Sequence, residues 1–95
     1  MTGPREDHVD TEFEAPANDL EQGIAAILAE VLSVDRIGRT DSFYDFSGTS
    51  LQAIRICVRI EQRLGIKAKP EWLFSHDVVE DLARRLAEQQ QEPVR

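Results

Sequence analysis

The sequence predicts an all-α domain, a bundle of three main helices plus one short helix with a long first loop. Three observations carry this expectation. Apolar residues recur at helical spacing in three separate stretches, and residues with capping chemistry stand at the ends of those stretches. Between the first two stretches, from Val34 to Thr49, the periodicity is lost and turn residues collect. A length of 95 residues allows one domain and not two, and a hydrophobic content of 41% is enough for a small core.

Residues 1–17 mix Pro, Gly, Thr and acids, with Val9 and Phe13 as isolated apolar residues, and read as a flexible acidic N-terminal tail. The folded domain then spans 18–88. Its first helix has Leu20, Ile24, Ile27, Leu28, Val31 and Leu32 in one stripe, and Asn18 or Asp19 is placed to cap its start. In the long loop, Gly38, Asp41, Ser42 and Gly48 are turn residues, while Phe43, Tyr44 and Phe46 are apolar anchors. The second helix runs from about Ser50 to Leu64 and stops at Gly65, a natural left-handed terminator. Ile66–Pro70 is extended, and Glu71–Phe74 reads as one helical turn that packs Trp72, Leu73 and Phe74 on the core. Asp77-Val-Val-Glu80 resembles a capping box and opens a last helix with Val78, Leu82, Ala83 and Leu86 on one face. Residues 89–95, with a Gln run and Pro93, read as a C-terminal tail.

Charge and cysteine content narrow the function. Eighteen acids against eleven bases give a net charge of −7, which argues against nucleic acid and anionic membrane surfaces as partners. The imbalance is concentrated at the start: residues 1–19 hold six acids and one base, leaving twelve acids and ten bases for the rest. A single cysteine excludes an internal disulfide or a multi-cysteine zinc site. No apolar run approaches a membrane span and no leader-like pattern opens the chain, so a monomeric, cytoplasmic protein is expected. His8 and His76 lack metal-ligand spacing to a Cys or acid, and Cys57 falls on the core face as a small hydrophobe. A Ser50–His76–Asp45 triad has no oxyanion-hole motif beside it, so no catalytic residue is assigned.

The second helix carries one apolar face more than a small bundle needs. At roughly 100° per residue, Ala53, Ile56, Cys57, Ile60 and Leu64 form the core stripe, and Leu51, Ile54 and Val58 gather about 130° away. Such a face either packs under the long loop or meets a partner. Gln52, Arg55, Arg59 and Arg63 fill the remaining side. At the helix start, Ser50 follows the Gly48-Thr49 turn. Its hydroxyl is either a helix cap or a group that accepts a covalent phosphate in the positive field of the helix terminus.

Residues 20–87 resemble the carrier-protein family, whose domains bear a 4′-phosphopantetheine arm in nonribosomal peptide, polyketide and fatty-acid synthesis. The resemblance rests on Glu30-Val-Leu, on Asp41-Ser-Phe-Tyr-Asp-Phe, and on Ser47-Gly-Thr-Ser50-Leu, with Leu73-Phe74 and the Val78…Leu82-Ala83…Leu86 spacing beyond. It implies that Ser50, set by Gly48 and Thr49, receives the arm from coenzyme A through a phosphopantetheinyl transferase. It also implies an adenylation enzyme and downstream condensation or tailoring enzymes as partners, docking through Leu51, Ile54, Arg55, Val58 and Arg59. Ser47 departs from the usual glycine, and Thr49 from the usual His or Asp. The arginines of the second helix, against a single Glu61, resemble a peptidyl carrier more than a fatty-acid-type carrier. Free tails at both ends resemble a stand-alone, type II carrier. An acyl carrier of polyketide or fatty-acid synthesis, and a plain helical interaction module, stand as the alternatives.

Overall fold

The computed structural model describes residues 2–91. Among the described residues four helices form: α1 (Asp19–Leu32), α2 (Ser50–Leu64), α3 (Trp72–Ser75) and α4 (Val79–Gln91). Two 3-10 turns, Arg5–Asp7 and Phe43–Phe46, stand in the segments before α1 and before α2. Among the described residues no strand forms, and β contacts are confined to single bridges, Gly3 with Val34 and Ser42 with Val78.

The helix ends follow local chemistry. Asn18 caps α1 by accepting the Glu21 amide at 2.9 Å. Gly65 ends α2 in the left-handed region at φ 69°, its N–H bonded to the Glu61 carbonyl. α1 packs against both α2 and α4. Ile24, Ile27 and Leu28 of α1, Ala53, Ile56 and Ile60 of α2, and Leu82 and Leu86 of α4 are closed off from solvent, with Leu73 of α3 among them. Cys57 is buried with them, and that burial pushes its thiol up to about 11. At neutral pH it is an inert thiol.

The start of α4 differs from expectation. The Asp77 carboxylate does not cap it, because it accepts the Ser42 hydroxyl instead. The first amides of α4 are satisfied across the fold: Val79 donates to the Asp41 carbonyl and Glu80 to the Arg39 carbonyl. Consequently the buried face is Val79, Leu82, Ala83 and Leu86, with Val79 in the place expected for Val78. The helix also continues to Gln91, into the span read as a C-terminal tail; residues 92–95 lie outside the described residues.

The larger correction concerns the N-terminal segment, which is not a solvated leader. Gly3 pairs with the end of α1 through bonds to Ser33 and Asp35. Val9 is buried, and Phe13 lies beneath the Arg36 guanidinium at 4.0 Å. Arg5 is 1% exposed and grips Asp41, equally closed off, through two of its nitrogens. An acidic composition leaves the segment polar overall, but the buried Arg5–Asp41 pair joins Val9, Phe13 and the backbone bonds of Gly3 and Glu14 in holding it on the domain.

The long loop is held at both ends of its aromatic cluster. Phe43 is fully buried, in edge contact with Phe74, and Phe46 is 5% exposed with His8 against its ring. Tyr44 is not an interior anchor; it is 53% exposed, lies on Phe74 and donates its hydroxyl to the Phe74 carbonyl at 3.3 Å. Truncating Phe46 to Ala leaves a cavity beneath the loop and is expected to cost about 3 kcal/mol. In thermal denaturation the midpoint should fall by more than about 10 °C. An unchanged midpoint would show that the loop is held by something other than this ring.

Candidate functional site

The turn into α2 is assembled from the preceding aromatic segment. Ser42 caps the Phe43–Phe46 turn, its hydroxyl oxygen accepting the Tyr44 amide at 3.1 Å while Asp45 accepts the Ser42 amide in return. Ser47 then reverses the chain at φ 58°, in the left-handed region. Gly48 follows because nothing larger fits: a Cβ there would sit 2.2 Å from the Phe43 ring. The glycine therefore lets a buried aromatic pack directly beneath the backbone that leads to Ser50.

Ser47 bears the cost that glycine would avoid. A non-glycine residue in this region is strained by about 1 kcal/mol or somewhat more. Ser47→Gly is expected to raise stability by up to about 1 kcal/mol, after the larger entropy lost by glycine on folding. That is a rise of a few degrees in the melting midpoint, and a fall would mean the Ser47 side chain holds the turn.

Thr49, not Ser50, is the cap of α2. Its hydroxyl oxygen accepts the Gln52 amide at 3.2 Å, and the Gln52 side chain accepts the Thr49 amide at 2.9 Å. Both capping functions are thus filled one residue upstream of the serine. Ser50 is the first residue of the helix and is exposed. The cap reading of Ser50 is replaced by one in which its hydroxyl is spare. Its own amide and that of Leu51 have no partner within the helix, as at every helix start, and carry the positive end of the helix dipole.

The second apolar face of α2 is open. Leu51 is 58% exposed, and Ile54 and Val58 are each 49% exposed, so the loop does not cover them. Ile54 and Val58 also wall a shallow groove of about 210 Å³ with Cys57, Glu61, Ala68 and Pro70. The flanking arginines are not equivalent. Glu30 of α1 takes both terminal nitrogens of Arg63, at 2.6 and 2.7 Å, and lies 3.5 Å from Arg59. That contact with Arg63 holds the Glu30 carboxyl below its ordinary range. Arg55 is exposed and has no ion pair among the described residues. Gly48, Thr49, Ser50, Leu51, Ile54, Arg55, Val58 and Arg59 thus form one continuous stretch of the turn and the adjoining helix, with Ser50 at its head.

Two other readings resolve here. His76 lies 3.2 Å from Asp81, and Asp45 is committed to the Ser42 turn, which leaves the triad without its parts. His8 lies on Phe46. Sequence reasoning missed the Arg5–Asp41 pair and the Glu30 clamp. The one available signal was Arg5 itself, the lone base among six acids.

The structure is thus a small helical bundle with a spare, exposed serine hydroxyl on the first residue of a capped helix, beside an open apolar face. Residues 22–86 match the family described as "Phosphopantetheine attachment site", and the chain belongs to that family. It is 42% identical over 78 residues to malpibaldin synthetase of Mortierella alpina, covering 82% of this chain and 1% of that protein. Among solved structures, it matches the peptidyl carrier protein determined with the phosphopantetheine transferase Sfp and coenzyme A at a TM-score of 0.74 and 28% identity, over 80% of this chain and 99% of that one. The type II acyl carrier protein BlmI of Streptomyces verticillus matches at a TM-score of 0.71 and 29% identity, over 76% and 87% of the two chains. The chain is a carrier domain of the kind found in nonribosomal peptide synthetases. Among the described residues no helix is long and apolar enough to cross a membrane.

Proposed function

We propose that Ser50 is the attachment point of 4′-phosphopantetheine and that the domain serves as a peptidyl carrier without chemistry of its own. One observation carries the reading: Thr49 takes the cap, so the Ser50 hydroxyl stands exposed and uncommitted at the positive end of α2. The Ser50 oxygen would form the new P–O bond to the phosphopantetheinyl phosphate of coenzyme A, lose its proton to the transferase, and release adenosine 3′,5′-bisphosphate. The unpaired amides of Ser50 and Leu51 would then face the negative phosphodiester. Bound there, the arm supplies a terminal thiol that holds an aminoacyl or related acyl group as a thioester.

The partners follow from the same surface. A phosphopantetheinyl transferase, an adenylation enzyme and condensation or tailoring enzymes must each reach a group fixed at Ser50. Leu51, Ile54 and Val58 are the apolar contacts they would cover, with Arg55 and Arg59 at the rim. A single free thiol fits a reducing compartment such as the cytoplasm. The test is intact mass after incubation with coenzyme A and a broad-specificity transferase. One phosphopantetheine per chain is expected, and none, under conditions that load a known carrier, would overturn the proposal.

A further inference from the structure

The family match begins at residue 22, yet the residues before it are bound into the segment that presents Ser50. We infer that residues 3–16 form a latch over the long loop, with Arg5 as a positioning residue for Ser50. The inference rests on the reading of Ser50 given above.

The latch closes on Asp41. One carboxylate oxygen accepts from Arg5 Nη2 at 2.8 Å; the other accepts from Arg5 Nε and from the Gly38 amide. The remaining Arg5 donors reach Glu6 and the Glu12 carbonyl, and its backbone amide reaches Asp35. Both charges are almost wholly buried, and Arg5 supplies two of the three hydrogen bonds that the Asp41 carboxylate accepts. A second closure lies farther along the segment. The Arg39 amide donates to the Glu14 carbonyl at 2.8 Å, and Gly38 lies so close beneath the segment that a Cβ there would stand 2.7 Å from the Glu14 oxygen.

From Asp41 the contacts run on toward Ser50. The Asp41 carbonyl takes the first amide of α4. The next residue, Ser42, bridges to Val78 and donates its hydroxyl to Asp77, whose carbonyl accepts the Phe43 amide. The Phe43 ring then lies under Gly48, two residues before Ser50. Losing Arg5 leaves Asp41 as an unpaired buried carboxylate, which must move toward water and draw the loop with it.

Two variants open the latch by different routes. Arg5→Gln removes the ion pair. Gly38→Ala keeps both side chains of the pair and displaces the segment sterically at Glu14. Amide hydrogen exchange on the full chain should show Gly38, Arg39, Val79 and Glu80 exchanging roughly tenfold faster or more in both variants, with Ile27, Ile56 and Ile60 little changed. The transferase should show a KM for the carrier raised several-fold and a kcat within about twofold of wild type, because the hydroxyl is unaltered and only its presentation is loosened.

Unchanged exchange at those four amides would overturn the latch. So would a uniform loss of protection through α1, α2 and α4, or failure of both variants to fold, since the segment would then be an ordinary part of the core. A loosened loop with unchanged KM would overturn the positioning role of Arg5. If wild type accepted no arm, the reading of Ser50 would fail, while the exchange pattern would still decide the latch.

Discussion

Ser50→Ala is expected to accept no phosphopantetheine at all, while folding as well as wild type. The first half follows from chemistry: without the hydroxyl oxygen there is no atom to form the P–O bond, and no other serine stands at the same exposed helix start. The second half follows from geometry. Thr49 and Gln52 cap α2 between them, and the Ser50 side chain makes no hydrogen bond among the described residues. Alanine is also the best helix former, so the change at an exposed first-turn position is close to neutral, within about 0.5 kcal/mol. Had Ser50 been the cap, the same substitution would cost on the order of 1 kcal/mol. Intact mass and a thermal melt on one variant therefore check both statements. Arm uptake by Ser50→Ala would move the attachment elsewhere, and a clear drop in stability would return Ser50 to a capping role.

Ile54→Asp should separate docking from folding. Ile54 is half exposed on the open face of α2, so a carboxylate there stays in water and costs little stability. Against a visiting enzyme the same carboxylate would be desolvated in the centre of an apolar contact, next to Leu51 and Val58. Loss of a central contact of this kind is worth roughly 2 kcal/mol or more, so arm attachment and aminoacyl loading should each slow by at least about tenfold. Transferase kinetics and the melting midpoint of the variant check this. A large loss of stability would make Ile54 part of the core, and an unchanged rate on a folded protein would place docking elsewhere. Arg55→Ala should have a smaller, salt-dependent effect, since an exposed rim charge acts through steering.

Much of the fold was legible in the chain because helices are local objects. Asn18, Gly65 and the spacing of Ile24, Ile27 and Leu28 act within one or two turns of themselves, and the structure places them as the pattern implies. Gly48-Thr49-Ser50-Leu51 was likewise readable as a turn into a helix. The division of labour inside it was not. Thr and Ser both cap well, and only the backbone geometry put Thr49 in the extended, capping position with Ser50 one residue inside the helix.

By itself, then, the sequence determined the helices, the core stripe of α2, the family signature around Ser50 and the presence of a surplus apolar face. The tertiary structure decided what that face meets. A wheel gives the direction of Leu51, Ile54 and Val58 but not the path of the loop, and the loop path depends on the Phe43 and Phe46 rings finding their places beside Phe74 and His8. It also decided that Glu30 occupies Arg63 and partly Arg59, a pairing across 29 to 33 residues, while Arg55 has no ion pair among the described residues. The same holds for Arg5 and Asp41, which lie 36 residues apart. Composition marks the first as part of an acidic tail and the second as a turn residue. Only chain folding brings them within bonding distance, where both are almost wholly buried against each other and turn an apparent leader into part of the domain.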